Sequence, residues 1–412
     1  MSRLLAAALL AGALYLPAGR AGAEPLTLEQ AIARASEGAP RLQAVEAAVE
    51  AARASQTQAG VRPNPTVTVT GENIAGSGRY GFLPQAEITA SYSQMLERGG
   101  KRDARTAWAQ RDVGVAEAST RVTRLDLAAQ VERAWFDVII ADEVVWAAKY
   151  RLKTEREMQA EALRRVRGYK DPLFVETRAA ARVAQSEIAL HEAKRRQVAA
   201  RNVLASFWGG SGEGLEVAGG VLTEVKSPLA IAPSDEAFET AKIARAQAAV
   251  TLEQSRGVQD YTVSGGVRYL RGTGDVALVT GITIPIGRFD RNQGNIERAQ
   301  AERRRLEFEA EADRLERLRR LASLRAEADA SRLRADAIRI EVLPKAVRTL
   351  DQVREGYRRG GFTFRDVQDA ADAIVEVQEQ WIAAANQWRD LQKEIDRLSG
   401  RFDASARGET EQ

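Results

Sequence analysis

The chain has 412 residues, with 60 Lys and Arg against 57 Asp and Glu, a single histidine and no cysteine. The missing cysteine excludes disulfides, thiol catalysis, thiolate metal sites and a lipid-bearing N-terminal cysteine. A balanced charge leaves no global field to attract nucleic acid, so no nucleic-acid partner is expected.

Residues 1–23 read as a secretory leader: Arg3 opens it, Leu4 to Leu16 form the apolar stretch, and Ala21-Gly22-Ala23 supplies the small-residue cleavage site. That stretch is short of the ~20 residues a membrane-spanning helix needs. The exported chain is expected to start near Glu24.

A first repeat is expected over 24–209. Thr27-Leu28-Glu29-Gln30 has the capping-box pattern ahead of a short helix to about Glu37, and a second helix runs from Pro40 to Ala59 until Gly60 and Pro63-Asn64-Pro65 stop it. Two strands follow in the segment of about 66–94. Val67 and Val69 oppose the threonines of 66–70, Ile88, Ala90 and Tyr92 oppose Thr89, Ser91 and Ser93, and a glycine-rich loop lies between at 75–82. From Arg102 to Arg167 the one breaker is Gly114, which predicts a single helix ~90 Å long. The turn Gly168-Tyr169-Lys170-Asp171-Pro172 ends it, and a shorter helix returns to about Trp208.

A glycine-rich link over 210–232 leads to a second repeat over 233–400 on the same plan. A helix at about 234–257 precedes a strand pair within about 260–285, with Tyr261, Val263, Val267 and Tyr269 on one face and Thr262, Ser264 and Arg268 on the other. Ile296 to Tyr357 is again nearly free of breakers, and Leu315, Leu318, Leu321 and Leu324 form a narrow stripe suited to coiled-coil packing. Gly360-Gly361 turns the chain into a returning helix ending near Ser399, and 401–412 is read as a polar tail. Arginine runs at 303–305 and 317–320 sit among glutamates as solvated helix faces.

The two halves carry one cassette twice, ITASYSQMLERGGKRDARTAWAQ at 88–110 and LVTGITIPIGRFDRNQGNIERAQ at 278–300. An offset of 190 sets Leu96 on Ile286, Arg98 on Arg288 and Lys101 on Arg291. Towards the turns it becomes 192, setting Gly168, Val175 and Ala179 on Gly360, Val367 and Ala371. A match of this length marks a duplicated fold element. The expected fold is mostly α with a small membrane β part, built as long helical hairpins. In water the apolar strand faces could pack on a helix, giving a periplasmic coiled-coil scaffold. Alternating stretches of this length with terminal aromatics also fit a membrane barrel. Open edges do not face lipid, so four strands per chain require further copies: two give a filled eight-stranded barrel, three give twelve strands around a channel.

The chain resembles the TolC family of outer-membrane efflux proteins, and within it the CzcC-like heavy-metal branch. The resemblance rests on residues 26–73, LERGGKR (96–102), IPIGRFDRNQGNI (284–296) and VLPKAVRTLDQVREGYRRGGFTFRDVQDA (342–370), in the family's order. It implies a homotrimer, a 12-stranded β-barrel in outer-membrane lipid and a periplasmic α-barrel. It also implies partners, a periplasmic adaptor and an inner-membrane pump of the resistance–nodulation–division type, with heavy-metal cations as cargo. A duct for drugs or secreted polypeptide is the alternative within that class.

The resemblance implies site residues as well. The family pattern Gly-x5-Asp-Val-x-Asp falls on Gly360, Asp366 and Asp369, which in a trimer would ring the tunnel's periplasmic constriction with carboxylates and favour cations. Asp366 could instead cap the returning helix, leaving Asp369 merely exposed. Tyr357 matches a tip-closing tyrosine, Phe362 stands where some members have a closing arginine, and Phe174 replaces the corresponding aspartate of the first half. Gly168, Pro172, Gly360 and Gly361 are assigned to the turns and to adaptor docking. One histidine, His191, and methionines only at 1, 95 and 158 predict no bound metal. No catalytic residue and no cofactor are expected.

Overall fold

The computed structural model describes residues 25–223 and 227–403. The expected leader lies outside them. Helix α1 (Leu28–Gly38) opens on the predicted capping box: Thr27 Oγ1 accepts from the Gln30 amide at 3.3 Å, and Gln30 Oε1 accepts from the Thr27 amide at 3.1 Å. Pro40, whose missing N–H is harmless in a first turn, starts α2 (Pro40–Ala59).

Strands β1 (Thr66–Glu72), β2 (Glu87–Leu96), β3 (Tyr261–Leu270) and β4 (Asp275–Thr283) form one antiparallel sheet in the order β1-β2-β3-β4. The two predicted strand pairs are therefore joined, through β2 and β3, with Ala90 opposite Val267 and Tyr92 opposite Gly265. Val67 is paired with Tyr92, and Val267 with Leu278. Antiparallel partners project to the same side, so Val67, Val69, Ile88, Tyr92, Val263, Val267, Tyr269, Val276, Leu278 and Ile282 share one face. That face is bare: Val67 is 73% exposed and Leu278 87%. The opposite face carries threonines, serines and an ion cluster in which Arg268 donates to Glu87 Oε2 and Thr89 Oγ1, both at 3.0 Å, with Glu72 Oε2 at 3.2 Å. The outer strands β1 and β4 each have one edge unpaired.

From β2 the chain enters α3 (Lys101–Arg167), 67 residues and hence ~100 Å long, and α4 (Phe174–Ser206) returns along it. After α5 (Pro233–Arg256) and the second strand pair, α6 (Gln293–Ala337) and α7 (Leu343–Arg359) form the matching arm, and α8 (Phe364–Ser399) returns. A π-helical turn at Ile338–Val342 joins α6 to α7. It sits just ahead of Pro344, whose ring would collide with the carbonyl four residues back in a regular helix; the widened turn relieves that clash. Both long arms start from left-handed residues, Gly100 (φ 69°) and Asn292 (φ 61°). The joint at 284–292 is longer than the one at 97–100, so the arms are already 192 residues apart at their first turns, and the difference in offset arises at the strand-to-helix joint.

The main core lies mid-way along the arms. Leu125, Val131, Trp135, Phe136 and Val138 of α3 meet Leu28, Ile32 and Ala35 of α1, Leu204 of α4, Ala384 and Ala385 of α8, and Val221 of the link. Link residue Val217 makes a parallel bridge with Leu26. Phe402 is buried in this core, and Arg401 Nη1 donates to Glu132 Oε1 at 2.9 Å and Asp396 Oδ2 at 2.8 Å. The segment predicted as tail from 401 is thus still structural through Asp403, because left-handed Gly400 (φ 73°) folds it back onto α3 and α8. Burial pushes the Glu132 carboxyl up to about 9, with Asp396 adding to the effect. Of the predicted leucine stripe, Leu321 and Leu324 are buried beside Trp388 and Ile395 of α8, whereas Leu315 and Leu318 are exposed.

Candidate functional site

The two hairpin turns meet at the end of the molecule far from the sheet. A second apolar cluster holds them: Met158 and Ala162 of α3, Val175 and Ala179 of α4, Leu350 and Tyr357 of α7, and Phe364, Val367, Ala371 and Ile374 of α8. The offset-192 pairs of the sequence, Val175 with Val367 and Ala179 with Ala371, pack in this one cluster, as a duplication folded on itself would place them.

Tyr357 is the polar centre of the cluster. It is 2% exposed, its ring packs on Phe364 with centroids 6.0 Å apart, and its hydroxyl donates to Asp171 Oδ2. Arg165 completes the lock. Its Nε and Nη2 hold both Asp171 oxygens at 3.0 and 3.1 Å, its Nη1 donates to the Tyr357 carbonyl at 2.5 Å, and its guanidinium lies 4.3 Å from the Tyr357 ring centre. The fork-to-carboxylate geometry is the strong form of this bond. Arg165 holds the Asp171 carboxyl below its usual range, and burial with the Asp171 bond raises the Tyr357 hydroxyl well above its own. The sequence pointed to Tyr357 alone. Its partners Arg165 and Asp171 lie on the other hairpin, and the one available signal was an acidic turn residue following an arginine-rich helix end.

Asp366 caps α8. Its Oδ2 accepts from the Thr363 amide and hydroxyl, both at 2.7 Å, while Thr363 Oγ1 accepts from the Asp366 amide at 3.3 Å. These bonds lower its carboxyl from the usual range. The cap does not remove it from solvent, and Asp369, one turn on, is exposed as well. Arg365 lies 3.8 Å from Asp369 Oδ2, so the acidic pair carries a nearby cation.

Among the turn residues, Gly360 (φ 84°) needs the left-handed region, whereas in the first turn Tyr169 (φ 58°) occupies it and Gly168 does not (φ −84°). Pro172 accepts from the Val175 amide at 3.1 Å, and Gly361 donates to the Gly356 carbonyl at 2.9 Å. Tyr169, Leu173, Phe174 and Phe362 project from the tip as exposed apolar side chains. Phe362 also covers Gly356, where an added Cβ would come within 2.2 Å of its ring. Gly356→Ala is therefore expected to push Phe362 off α7 and cost about 1–3 kcal/mol, as overpacking does; hydrogen exchange confined to 356–364 would measure it, and unchanged protection there would contradict it. His191 is exposed on α4, and among the described residues no group of three or more His, Asp or Glu is placed to hold a metal ion.

Set against known proteins, residues 31–210 and 230–401 match the model of the family described as outer membrane efflux protein. The chain is 30% identical over 390 residues to the cobalt-zinc-cadmium resistance protein CzcC of Cupriavidus metallidurans, covering 93% of this chain and 92% of that one. It is 29% identical over 281 residues to the nickel and cobalt resistance protein CnrC of the same organism, covering 67% and 66%. In fold it superposes on the crystal structure of the outer membrane protein VceC from Vibrio cholerae with a TM-score of 0.72, covering 90% of this chain and 96% of that one at 18% identity.

Proposed function

Because the chain belongs to the outer membrane efflux protein family, we propose that it is the homotrimeric exit duct of a tripartite pump for heavy-metal cations. The observation that carries this reading is the sheet: a continuous, exposed apolar face on four strands with two unpaired edges, mounted at one end of arms ~100 Å long. A sheet of that kind is stable in lipid once its edges are closed. Pairing β4 of one copy with β1 of the next, three times over, gives twelve strands with the apolar face outward and the Arg268 face inward. The hairpins then continue the tube across the periplasm after export by the leader. A scaffold working in water would have to leave Val67, Leu278 and Ile282 bare.

The cargo assignment rests on CzcC and CnrC, whose names are those of metal-resistance proteins. In the assembled tube Asp366 and Asp369 form the periplasmic constriction, with the Thr363 cap fixing Asp366 in place, and Tyr357 holds the tip closed through Asp171. The turns at Gly168, Pro172, Gly360 and Gly361, with the exposed aromatic side chains around them, dock the periplasmic adaptor that connects the duct to an inner-membrane pump of the resistance–nodulation–division type.

Single-channel recording of detergent-purified protein in a planar bilayer tests the reading. Wild type is expected to form cation-selective pores, and Asp366→Asn/Asp369→Asn to lose that selectivity severalfold while keeping the pore. Pores whose selectivity ignores the double substitution would reject the acidic constriction alone. Protein that stays soluble without detergent and forms no pores would reject the duct.

A further inference from the structure

The duplicated strand-to-helix joint carries three exposed arginines that conduction does not use: Arg98 in the first copy, and Arg288 with Arg291 in the second. Arg98 and Arg288 align in the sequence repeat, and both lie on aromatic rings. The Arg98 guanidinium is 4.0 Å from the centre of the Tyr261 ring, and that of Arg288 is 5.4 Å from the centre of Phe289. Tyr261 stands opposite Leu96 at the helix-side end of the apolar sheet face. Beyond β4 the apolar surface continues through Ile284 to Ile286 and Phe289, the last two 88% and 84% exposed.

Other cations of the joint are engaged within the protein. Lys101 Nζ donates to Asp260 Oδ2 at 2.7 Å, and Arg105 Nη1 donates to Glu97 Oε1 at 2.7 Å. Among the described residues no carboxylate lies within ion-pair distance of Arg98, Arg288 or Arg291. Asp290 is spent on the turn, where its Oδ1 accepts from the Asn292 amide at 2.8 Å, and Arg291 Nε donates only to the Gly287 carbonyl at 3.3 Å. The joint therefore has an excess of outward positive charge at the level where the apolar face ends.

We propose that Arg98, Arg288 and Arg291 bind the phosphates of anionic phospholipids in the membrane leaflet facing the helical arms, with Ile286, Phe289 and Tyr261 seated at the acyl boundary. The proposal rests on the duct reading, which puts the sheet in the bilayer. Its own support is the charge complementarity and the continuity of the arginines with the lipid-facing surface. An arginine fork matches a phosphate in two bonds, its stem can lie along apolar surface, and aromatic rings favour the interfacial depth. A second copy of the chain is the competing occupant. It would meet β1 or β4 in the plane of the sheet and so run alongside Arg288 and Arg291, which follow β4. Arg98, by contrast, follows β2, an interior strand flanked on both sides, and its outward face stays open to lipid.

Native mass spectrometry of the detergent-solubilised protein, titrated with phosphatidylglycerol and with phosphatidylcholine, reads the binding directly. Wild type is expected to retain phosphatidylglycerol in preference, by about fivefold per arginine engaged, the ratio that an interfacial cation contributes. Arg98→Gln/Arg288→Gln/Arg291→Gln is expected to bind both lipids equally, at unchanged oligomeric mass, and high salt to reproduce that loss in wild type. The corresponding triple lysine variant, which keeps the charge, is expected to retain most of the preference and guards against a folding defect in the glutamine variant. Equal binding of the two lipids by wild type, or a preference surviving the glutamine substitutions, overturns the proposal. A fall in oligomeric mass of the glutamine variant assigns the arginines to contact between copies and overturns it too. Conductance of the same preparation separates the two levels: pores without lipid preference reject only the arginine assignment, and absence of pores rejects the duct beneath it.

Discussion

Tyr357→Phe is expected to raise the single-channel conductance of the purified protein at least twofold without unfolding it. The substitution deletes one bond, the hydroxyl donated to Asp171, and leaves the buried ring against Phe364 and Arg165. A hydrogen bond to a charged acceptor contributes about 1.5–3 kcal/mol, enough to shift the proposed tip closure towards an open population, and the apolar cluster that keeps the hairpins folded stays in place. The same lock has a pH signature. The Arg165 fork holds the Asp171 carboxyl below its unfolded value, so its stabilising contribution is fully present above pH ~4 and is lost as pH falls through the lower folded value. Wild-type conductance is therefore expected to be flat from neutral pH down to about 4 and to climb below it, with Tyr357→Phe already high across the range. A conductance identical to wild type would show that contacts other than Asp171 hold the tip.

Arg389→Ala is expected to be the most destabilising substitution in the helical region, at about 3–5 kcal/mol, the range for removing one partner from a buried charged network. Arg389 is 2% exposed and lies between two rings, 3.7 Å from the centre of Phe136 and 4.2 Å from that of Trp388. Its guanidinium donates to the carbonyls of Val221 at 2.6 Å, Thr223 at 2.8 Å and Gly220 at 3.2 Å. It thus ties the glycine-rich link to α3 and α8, and its charge faces Glu132 and Asp396. Without it, three carbonyls lose their donor and a pair of buried acids loses a facing positive charge. Limited proteolysis should show cleavage of the link within 209–223 at low protease, together with a lower denaturant midpoint. Arg389→Lys should recover little, because an ammonium cannot reach three carbonyls and stack between two rings at once. A link as resistant as in wild type would refute the role.

Much of the fold was legible because it is encoded locally. Thr27 and Gln30 announce a helix start, Pro63-Asn64-Pro65 a stop, and the alternation of Val67 and Val69 with threonine a strand, each through interactions between residues a few positions apart. Pro344 sits within the stretch read as nearly free of breakers, and the chain reaches it through a π turn at Ile338–Val342 that lets the arm run on as α7. The tip was only half legible. Asp366 carried two readings, a carboxylate ringing the tunnel or part of the returning helix's cap. Its Oδ2 joins the Thr363 capping box while the residue remains in water, and the ring stands as a proposal. The Arg365 cation beside Asp369 has no sequence signature of its own, because a charged residue at helical spacing reads simply as part of a solvated face.

By itself the sequence determined the kinds of element, their lengths and their duplication, and with them the apolar sheet face and the paired long arms. These follow from periodicity, caps and the absence of breakers, which act over one or two turns of chain. Only the tertiary structure decided that β2 joins β3 across the halves, that Tyr357 meets an aspartate 186 residues away, and that Arg389 seizes a link 168 residues before it. Such pairings depend on the register of helices ~100 Å long, where a slip of one turn displaces every partner by ~5.4 Å. No local pattern encodes that register; the sum of buried contacts along both hairpins selects it.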